Sequence, residues 1–539
     1  MNNINILDCT LRDGGRIIDC SFNDSSIIGI GKQLKLAGIN IIEVGFLRDL
    51  SIYTGNSTFF KSVHDANQYV MKICTNVQKQ NEKYVLFMDC GLYDVEKLEK
   101  SEDIGISGIR YGFTKKDYFE NKNRIKDDIQ IIKSMGYDVY FQDVNTDGYT
   151  KEELIDLLQL ANEINPVSFG IVDTYGSMYL DDLEKIWNIV NIHLNKNIAI
   201  DFHSHNNMQM SFALTQRLIQ LSNNKRKVII DATLNGMGKC AGNLNTELII
   251  DFLARKYNYD YDLDIILDAI DRYLFPVKNH IDWGYSIPAF MAGIYKAHPN
   301  NVIYLTEKYR LNSKDIKYII SAIDETKRQR YDYDNIKKIY KNYCMNKIDD
   351  FDDLNKLGKI FMNKKILVLA PGRTIEKYYN RIFKYIKKEN PIVICVNFRP
   401  KKLIYNYLFY ANTIHWEKIS DNVKRDMCIL TSNIHVDVSN TYLIDYSRLI
   451  VEDSILYDNS TIMLLNLLKI LGVKEIKIAG FDGLKEKKRN YIDDTFPNEK
   501  RSMSYKEINK EIKKLLKQYK NKTSEKINIE FLTPSIYEE

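Results

Sequence analysis

The chain has 539 residues, 45% of them apolar and 12% aromatic. Global disorder is excluded, and at roughly 100–200 residues per domain two to four domains are expected. Lys and Arg number 76 against 71 Asp and Glu, a net charge of +5. So small an imbalance implies neither a nucleic-acid nor a membrane partner.

No run approaches ~18 uninterrupted apolar residues, so no membrane span is expected. The opening MNNINILDCTLRDGG lacks a basic stretch followed by an apolar one, so no secretory signal is expected either. Eight cysteines are scattered without a C-x-x-C pair. That spacing argues against a disulfide framework or structural zinc and for a cytoplasmic protein with reduced thiols.

In chain order, eight β-branched runs alternate with helix-length amphipathic stretches. The predicted strands are 4–7, 39–46, 84–90, 105–113, 138–144, 168–174, 198–204 and 227–234. Apolar runs separated by helices read as parallel strands buried on both faces. Eight βα units in about 250 residues point to an α/β fold of the (β/α)8 TIM-barrel class over residues 1–255, with an open doubly wound sheet as the alternative. Residues 256–345 read as a helical extension of the barrel. Residues 346–363 change composition and read as a linker. A second α/β pattern occupies 364–539, with strands expected at 364–369, 392–398, 427–432 and 474–483 and a buried helix at 460–472.

Barrel chemistry sits at the C-terminal ends of strands. TLRDGG follows the first strand and carries Arg12 and Asp13; HSHNN follows the seventh and carries His203 and His205. Histidines at i and i+2 on an extended segment face one side. With a carboxylate from another strand they make a two-nitrogen, one-oxygen set for a divalent cation. A satisfied core pair or a solvent-facing pair is the plain structural reading of the same H-x-H.

These two motifs, with Glu43 in IIEVGF and GMGKCAGNLNTEL after the eighth strand, resemble the DRE-TIM metallolyases, the HMG-CoA lyase-like superfamily. The 4-hydroxy-2-oxovalerate aldolase branch is the most similar, through IVDTYGSMYLDDL and the helical stretch 287–311, and the resemblance covers about residues 3–340. It implies a carbon–carbon lyase that works through a metal-bound pyruvate-type enolate. Asp13, His203 and His205 would ligate the metal, Mn2+ or Mg2+ first and Co2+ as a further candidate. Arg12 would face the enolate oxygen, with Glu43 supporting it. Asn243 matches an asparagine at or near the metal, or is a turn-capping residue. Thr174 and Ser177 fall where substrate-facing hydroxyls would lie. Small 2-oxo acid and aldehyde substrates and a homo-oligomer are implied.

The chain departs from the branch at Arg16, where the aldolase has an acid–base histidine. Arginine stays protonated at any working pH and cannot take that role. His298, Tyr295, a metal-bound water or a different substrate would have to make up for it, and Arg16 itself suggests an additional anionic group on the substrate. Cys240 reads as a small packed residue. The alternatives to the aldolase are a Claisen-type acyltransferase of the isopropylmalate synthase kind and a non-catalytic barrel.

In the second α/β region, LAPGRT between a strand and a helix reads as a phosphate-loop-like turn. It is neither G-x-G-x-x-G nor a Walker loop. Taken with 464–483, it resembles the Rossmann-like domains of bacterial sialyltransferases. That resemblance implies a nucleotide or nucleotide-sugar site at Gly372, Arg373 and Asp482, and a place in surface-glycan biosynthesis.

Overall fold

The computed structural model describes residues 3–49, 57–75, 82–101, 105–309, 313–344, 347–416, 427–434, 441–451, 454, 456, 459–486, 490–492, 504–521 and 527–538. They form two compact units. The first is Met1–Val302 with Arg328–Arg330, and the second is Ile303–Lys327 with Tyr331–Glu539.

The first unit is a closed parallel barrel. Its strands are β1 (Ile4–Asp8), β2 (Ile41–Leu47), β4 (Lys83–Asp89), β5 (Ile106–Phe113), β6 (Asp138–Asp143), β7 (Ser168–Asp173), β8 (Ala199–Ser204) and β9 (Val228–Ala232); the two-residue β3 (Phe59–Phe60) is appended to β2. β1 pairs in parallel with β9 on one side and with β2 on the other, which closes the eight-stranded ring. Each predicted strand of the barrel is present within two residues of its expected start.

The strand period of two sorts the barrel interior into layers. Leu7, Ile41, Val85, Tyr140, Ala199 and Ile229 make one apolar cluster. Two residues further along the strands the inward positions become polar: Glu43, Gln142, Asp201 and Asp231, all buried, with Arg110 beside them. The other face of each strand packs under the helices as the main core, with Ile6, Ile42, Leu86, Ile109 and Phe169 among its members.

The second unit is built on a seven-stranded, all-parallel sheet. Its strands are β10 (Lys365–Leu369), β11 (Ile392–Val396), β12 (Tyr407–Tyr410), β13 (Cys428–Thr431), β14 (Tyr442–Ile444), β15 (Glu475–Ala479) and β16 (Asn528–Phe531), in the order β14-β13-β12-β11-β10-β15-β16. The four strands expected from sequence are there. Three short ones, β12, β14 and β16, were not expected, because runs of three or four residues give little periodicity to read. The buried helix Ser460–Ile470 is also present.

The stretch 346–363 holds the helix Phe351–Phe361. Asp350, just before it, accepts hydrogen bonds from the Asp445 N–H (3.0 Å) and from Arg448 Nη2 (2.9 Å). The stretch expected as a linker thus contributes a helix to the second unit. Helix Ser313–Ala322, expected as part of the barrel extension, also lies in that unit. Its Asp315 accepts from Thr413 Oγ1 (3.0 Å) and Tyr343 Oη (2.7 Å). Among the described residues no helix is long and apolar enough to cross a membrane.

Candidate metal centre and active site

The turn after β1 presents Arg12 and Asp13. The Cys9 carbonyl accepts from the N–H groups of Arg12 (3.1 Å), Asp13 (2.9 Å) and Gly14 (3.2 Å), which folds the chain tightly over the barrel mouth. A side chain at position 15 would put its Cβ 2.8 Å from the Phe22 ring, so the tight turn requires glycine there.

Asp13, His203 and His205 converge, with one ligand atom from each lying within 4.8 Å of the others. Asp13 Oδ2 is 3.9 Å from His203 Nε2 and 3.8 Å from His205 Nε2. Both separations are too long for hydrogen bonds. The far side of His203 is fixed, because Nδ1 lies 2.9 Å from Asp231 Oδ2. Asp231 is ionised: burial opposes its charge, but Arg110 and His203 outweigh it and hold its pKa down to about 2. A carboxylate at Nδ1 selects the tautomer with its proton on Nδ1, so the Nε2 lone pair faces Asp13.

Burial pushes the His205 imidazole down to about 4, against the pull of Asp13, so it is neutral near pH 7. Burial likewise opposes ionisation of Asp13, but Arg12, His205, His203 and Arg16 hold its carboxyl well below the usual carboxylate range. A carboxylate oxygen and two imidazole nitrogens thus surround one gap, an arrangement that a divalent cation satisfies. The donor set fits such an ion. Cys9, His203 and Asp231 also cluster, but burial holds the Cys9 thiol well above its ordinary pKa. The far side of that histidine and the Asp231 carboxylate are already bonded to each other.

Asn243 donates from Nδ2 to Asp13 Oδ2 (3.0 Å) and to the Met237 carbonyl (3.0 Å), so the structure brings it to the site. Its Oδ1 is buried without a partner. The loop carrying it needs Gly242 at φ +76°, where a Cβ would fall 1.9 Å from the Gly236 carbonyl oxygen. That loop bridges to His205.

Arg12 is almost fully buried. Its Nε donates to Glu43 Oε2 (2.6 Å) and its Nη1 to Asp13 Oδ1 (2.6 Å), and its guanidinium carbon lies 4.5 Å from the Phe87 ring centre. Glu43 gives its other oxygen to Arg110 Nη1 (3.1 Å). Both carboxylate oxygens are therefore spent on arginines, and Glu43 is a positioning residue. Arg110 also reaches Asp231 Oδ2 (2.5 Å) and Asp201 Oδ2 (3.2 Å). Burial, with Asp231 beside it, holds Asp201 far above its ordinary pKa. Arg110, Gln142, Asp201 and Asp231 went unread in the sequence. Their only signal is a polar residue at every second position within otherwise apolar strands.

Among the other expected residues, Arg16 Nε lies 3.2 Å from Asp13 Oδ1. The His298 imidazole is pushed down to about 4, first by burial and then by Lys239 and Arg16. Its Nδ1 accepts from the Asn300 N–H (3.2 Å). The loop after β7 adjoins the centre, since the Asp173 carbonyl accepts from the His205 N–H (3.1 Å). The hydroxyl of Thr174, however, is spent on the Val144 carbonyl, and the Ser177 N–H on Asp173 Oδ1 (2.9 Å). Burial pushes the Cys240 thiol up to about 12, which suits a packed residue.

In the second unit Gly372 and Asp482 come together beside Arg373 and line one cavity. Asp482 Oδ2 accepts from the Thr374 N–H (2.8 Å), and its other oxygen takes the Thr374 hydroxyl. The Gly372 N–H goes to the Gly480 carbonyl (2.8 Å). The helix that follows, Thr374–Lys377, has a single turn. The carboxylate of Asp482 thus takes the Thr374 N–H and hydroxyl at this turn.

The family model described as HMGL-like matches residues 3–272, half of the chain. A 4-hydroxy-2-oxovalerate aldolase of Carboxydothermus hydrogenoformans is 25% identical over 324 residues, 58% of this chain and 90% of its own length. That of Moorella thermoacetica is 23% identical over 319 residues, with 58% and 89% covered. The solved structure of an HMG-CoA lyase from Brucella melitensis aligns with a TM-score of 0.42 at 16% identity, covering 52% of this chain and 99% of that one. The chain belongs to the HMGL-like family, within the DRE-TIM superfamily.

Proposed function

We propose that the barrel is a divalent-metal-dependent aldolase, making or breaking a carbon–carbon bond at a 2-oxo acid through a pyruvate-type enolate. The observation that carries this reading is the convergence of Asp13, His203 and His205 beside a buried arginine. A divalent cation held by those three residues would supply a Lewis acid for the keto oxygen of the 2-oxo acid; Mn2+, Mg2+ and Co2+ suit mixed imidazole and carboxylate donors.

The chain's own groups do the rest. Arg12, clamped by Glu43 and Asp13, presents a fixed positive charge to the oxygen that becomes anionic. Removing one preorganised donor of this kind costs about 10²–10³ in rate. Asp231 keeps the Nε2 lone pair of His203 turned to the ligand gap, and Asn243 orients the Asp13 carboxylate. His298, neutral near pH 7 and close enough to Arg16 and Lys239 to feel both, is assigned to carrying the proton that leaves the methyl carbon. In the forward direction that carbon joins the aldehyde carbon, and the aldehyde oxygen takes up the proton. The balance involves no redox step.

The test is cleavage of a 4-hydroxy-2-oxo acid by the full chain, with released pyruvate followed by a coupled dehydrogenase. Chelation should abolish release and Mn2+ or Mg2+ should restore it. Pyruvate release that survives chelation unchanged, or none under any metal, contradicts the reading.

A further inference from the structure

Arg16, Arg48 and Lys239 form a cationic rim around the mouth of the barrel. Each follows a different strand, β1, β2 and β9, at its C-terminal end, where a barrel gathers its ligands. The guanidinium carbons of Arg16 and Arg48 each lie 4.7 Å from the centre of the Phe46 ring. Arg12 lies 5.8 Å from the same centre, so the rim is continuous with the interior arginine. The loop after β9 that carries Lys239 reaches the same mouth, because its Asn243 donates to Asp13 Oδ2 (3.0 Å), on the carboxylate that Arg16 also contacts (3.2 Å).

The compensation of these charges is uneven. Arg48 pairs with Asp89. Among the described residues Arg16 pairs only with Asp13, at Oδ1, the oxygen that Arg12 Nη1 also takes at 2.6 Å. Lys239 is half-buried and has no ion pair among the described residues. Its backbone carbonyl accepts from the Gly242 N–H (2.9 Å), which holds the lysine on the loop that carries Asn243. Arg16 thus shares its carboxylate with Arg12, and Lys239 stands on the adjoining loop with no carboxylate of its own among the described residues. Partly buried charge without a partner is unfavourable, and a charged ligand group is what would relieve it.

We infer that the carbonyl partner of the 2-oxo acid carries its own anionic group, a phosphate or a carboxylate, which Arg16 and Lys239 bind at the barrel mouth. The inference rests on the aldolase reading above. The 2-oxo acid's own carboxylate belongs to the interior, beside Arg12 and the ligand set, and the rim lies one layer further out. An aldehyde approaching the enolate carbon from the open end trails its distal substituent across Arg16, whose side chain is 36% exposed. A guanidinium suits either oxyanion through a bidentate fork, and an ammonium adds a point charge. The Phe46 face fixes the Arg16 plane, so less freedom is lost on binding.

The experiment compares aldehydes in two ways with the full chain loaded with Mg2+. Calorimetry without 2-oxo acid measures binding of glyceraldehyde 3-phosphate, succinic semialdehyde, glyceraldehyde and butyraldehyde. Condensation with pyruvate then gives kcat/KM for each. The phosphate-bearing or the carboxylate-bearing aldehyde should bind saturably and exceed its neutral counterpart by about 100-fold in kcat/KM, as two charge-assisted contacts would give. Whichever of the two leads identifies the anion.

Lys239→Met should lower the anionic-to-neutral ratio about tenfold. Lys239 has no side-chain partner among the described residues to lose, so the variant tests the rim without breaking an existing contact. Arg16→Gln should lower the ratio further. Equal binding and equal kcat/KM for charged and neutral aldehydes, or a ratio unmoved in Lys239→Met, overturns the inference while leaving the aldolase reading intact. Absence of any pyruvate chemistry overturns both.

Discussion

His203 shows most clearly how one buried side chain sets the state of another. Its ring is oriented by Asp231, which Arg110 keeps ionised. Asp231→Asn keeps the shape of that contact but removes the negative charge and frees the choice of tautomer. Carboxylates behind a metal-binding histidine are worth about 10–100-fold in metal affinity. Titration with Mn2+ against a competing chelator should therefore show weaker binding in Asp231→Asn by about that factor. Unchanged affinity would mean that His203 is not a ligand.

The convergence of Asp13, His203 and His205 was legible in the sequence because the three stand at strand ends in recognisable motifs. The supporting residues were not. Arg110, Asp201 and Asp231 lie within strands buried on both faces. No single strand tells which of two buried faces is the barrel interior. Only closure, which brings β5, β8 and β9 to one axis, shows that these charges meet.

At the scale of elements, three strands of the barrel, β1, β6 and β7, end in an aspartate that ties down the following loop. Asp8 caps Thr10 and Thr246, Asp173 caps the turn at Ser177 and Met178, and Asp143 holds Tyr149. This makes one pH effect predictable. Burial pushes the Asp143 carboxyl up to about 7, while Tyr149, the Asn145 N–H, Thr146 and Lys115 pull it down only in part. In the unfolded chain it titrates at about 3.9. Below pH ~4 both states are protonated. Between there and about 7 the folded state binds more protons, so the contribution of Asp143 to stability is lost as pH rises.

Asp143→Asn keeps an acceptor for Tyr149 and cannot ionise. Its stability relative to the parent chain should therefore rise between pH 4 and 7.5, by on the order of 3 kcal/mol at 1.36 kcal/mol per pH unit. Urea unfolding at the two pH values measures it. A pH-independent difference would show that Asp143 is not titrating as described.

The second sheet gives the complementary lesson about elements. LAPGRT was readable as strand, turn and helix, and that is its structure. What fills the turn was not readable, because Asp482 reaches it from 108 residues away along the chain.

The whole molecule divides into two α/β units, and the chemistry-bearing motifs of the family lie in the first. The division was only partly legible. Composition changes most sharply around 346–363, yet the chain leaves the first unit after Val302 and returns to it only for Arg328–Arg330. The reason lies in single contacts. Asn301 Nδ2 donates to the carbonyls of Arg328 and Arg330, both at 2.9 Å, and holds that short segment to the barrel. Asp315, one helix earlier, is bonded to Thr413. A change of composition marks where the chain becomes polar, not which core a helix joins.

The central claim at this scale is that the barrel forms an enolate. The most direct measurement is proton NMR of pyruvate in D2O with the full chain and Mn2+ or Mg2+, with no aldehyde present. The account predicts metal-dependent loss of the methyl signal as deuterium enters, slowed about 10²-fold or more in Arg12→Ala, since a fixed charge facing the oxyanion is removed. A methyl signal that stays constant in the metal-loaded parent chain would contradict it.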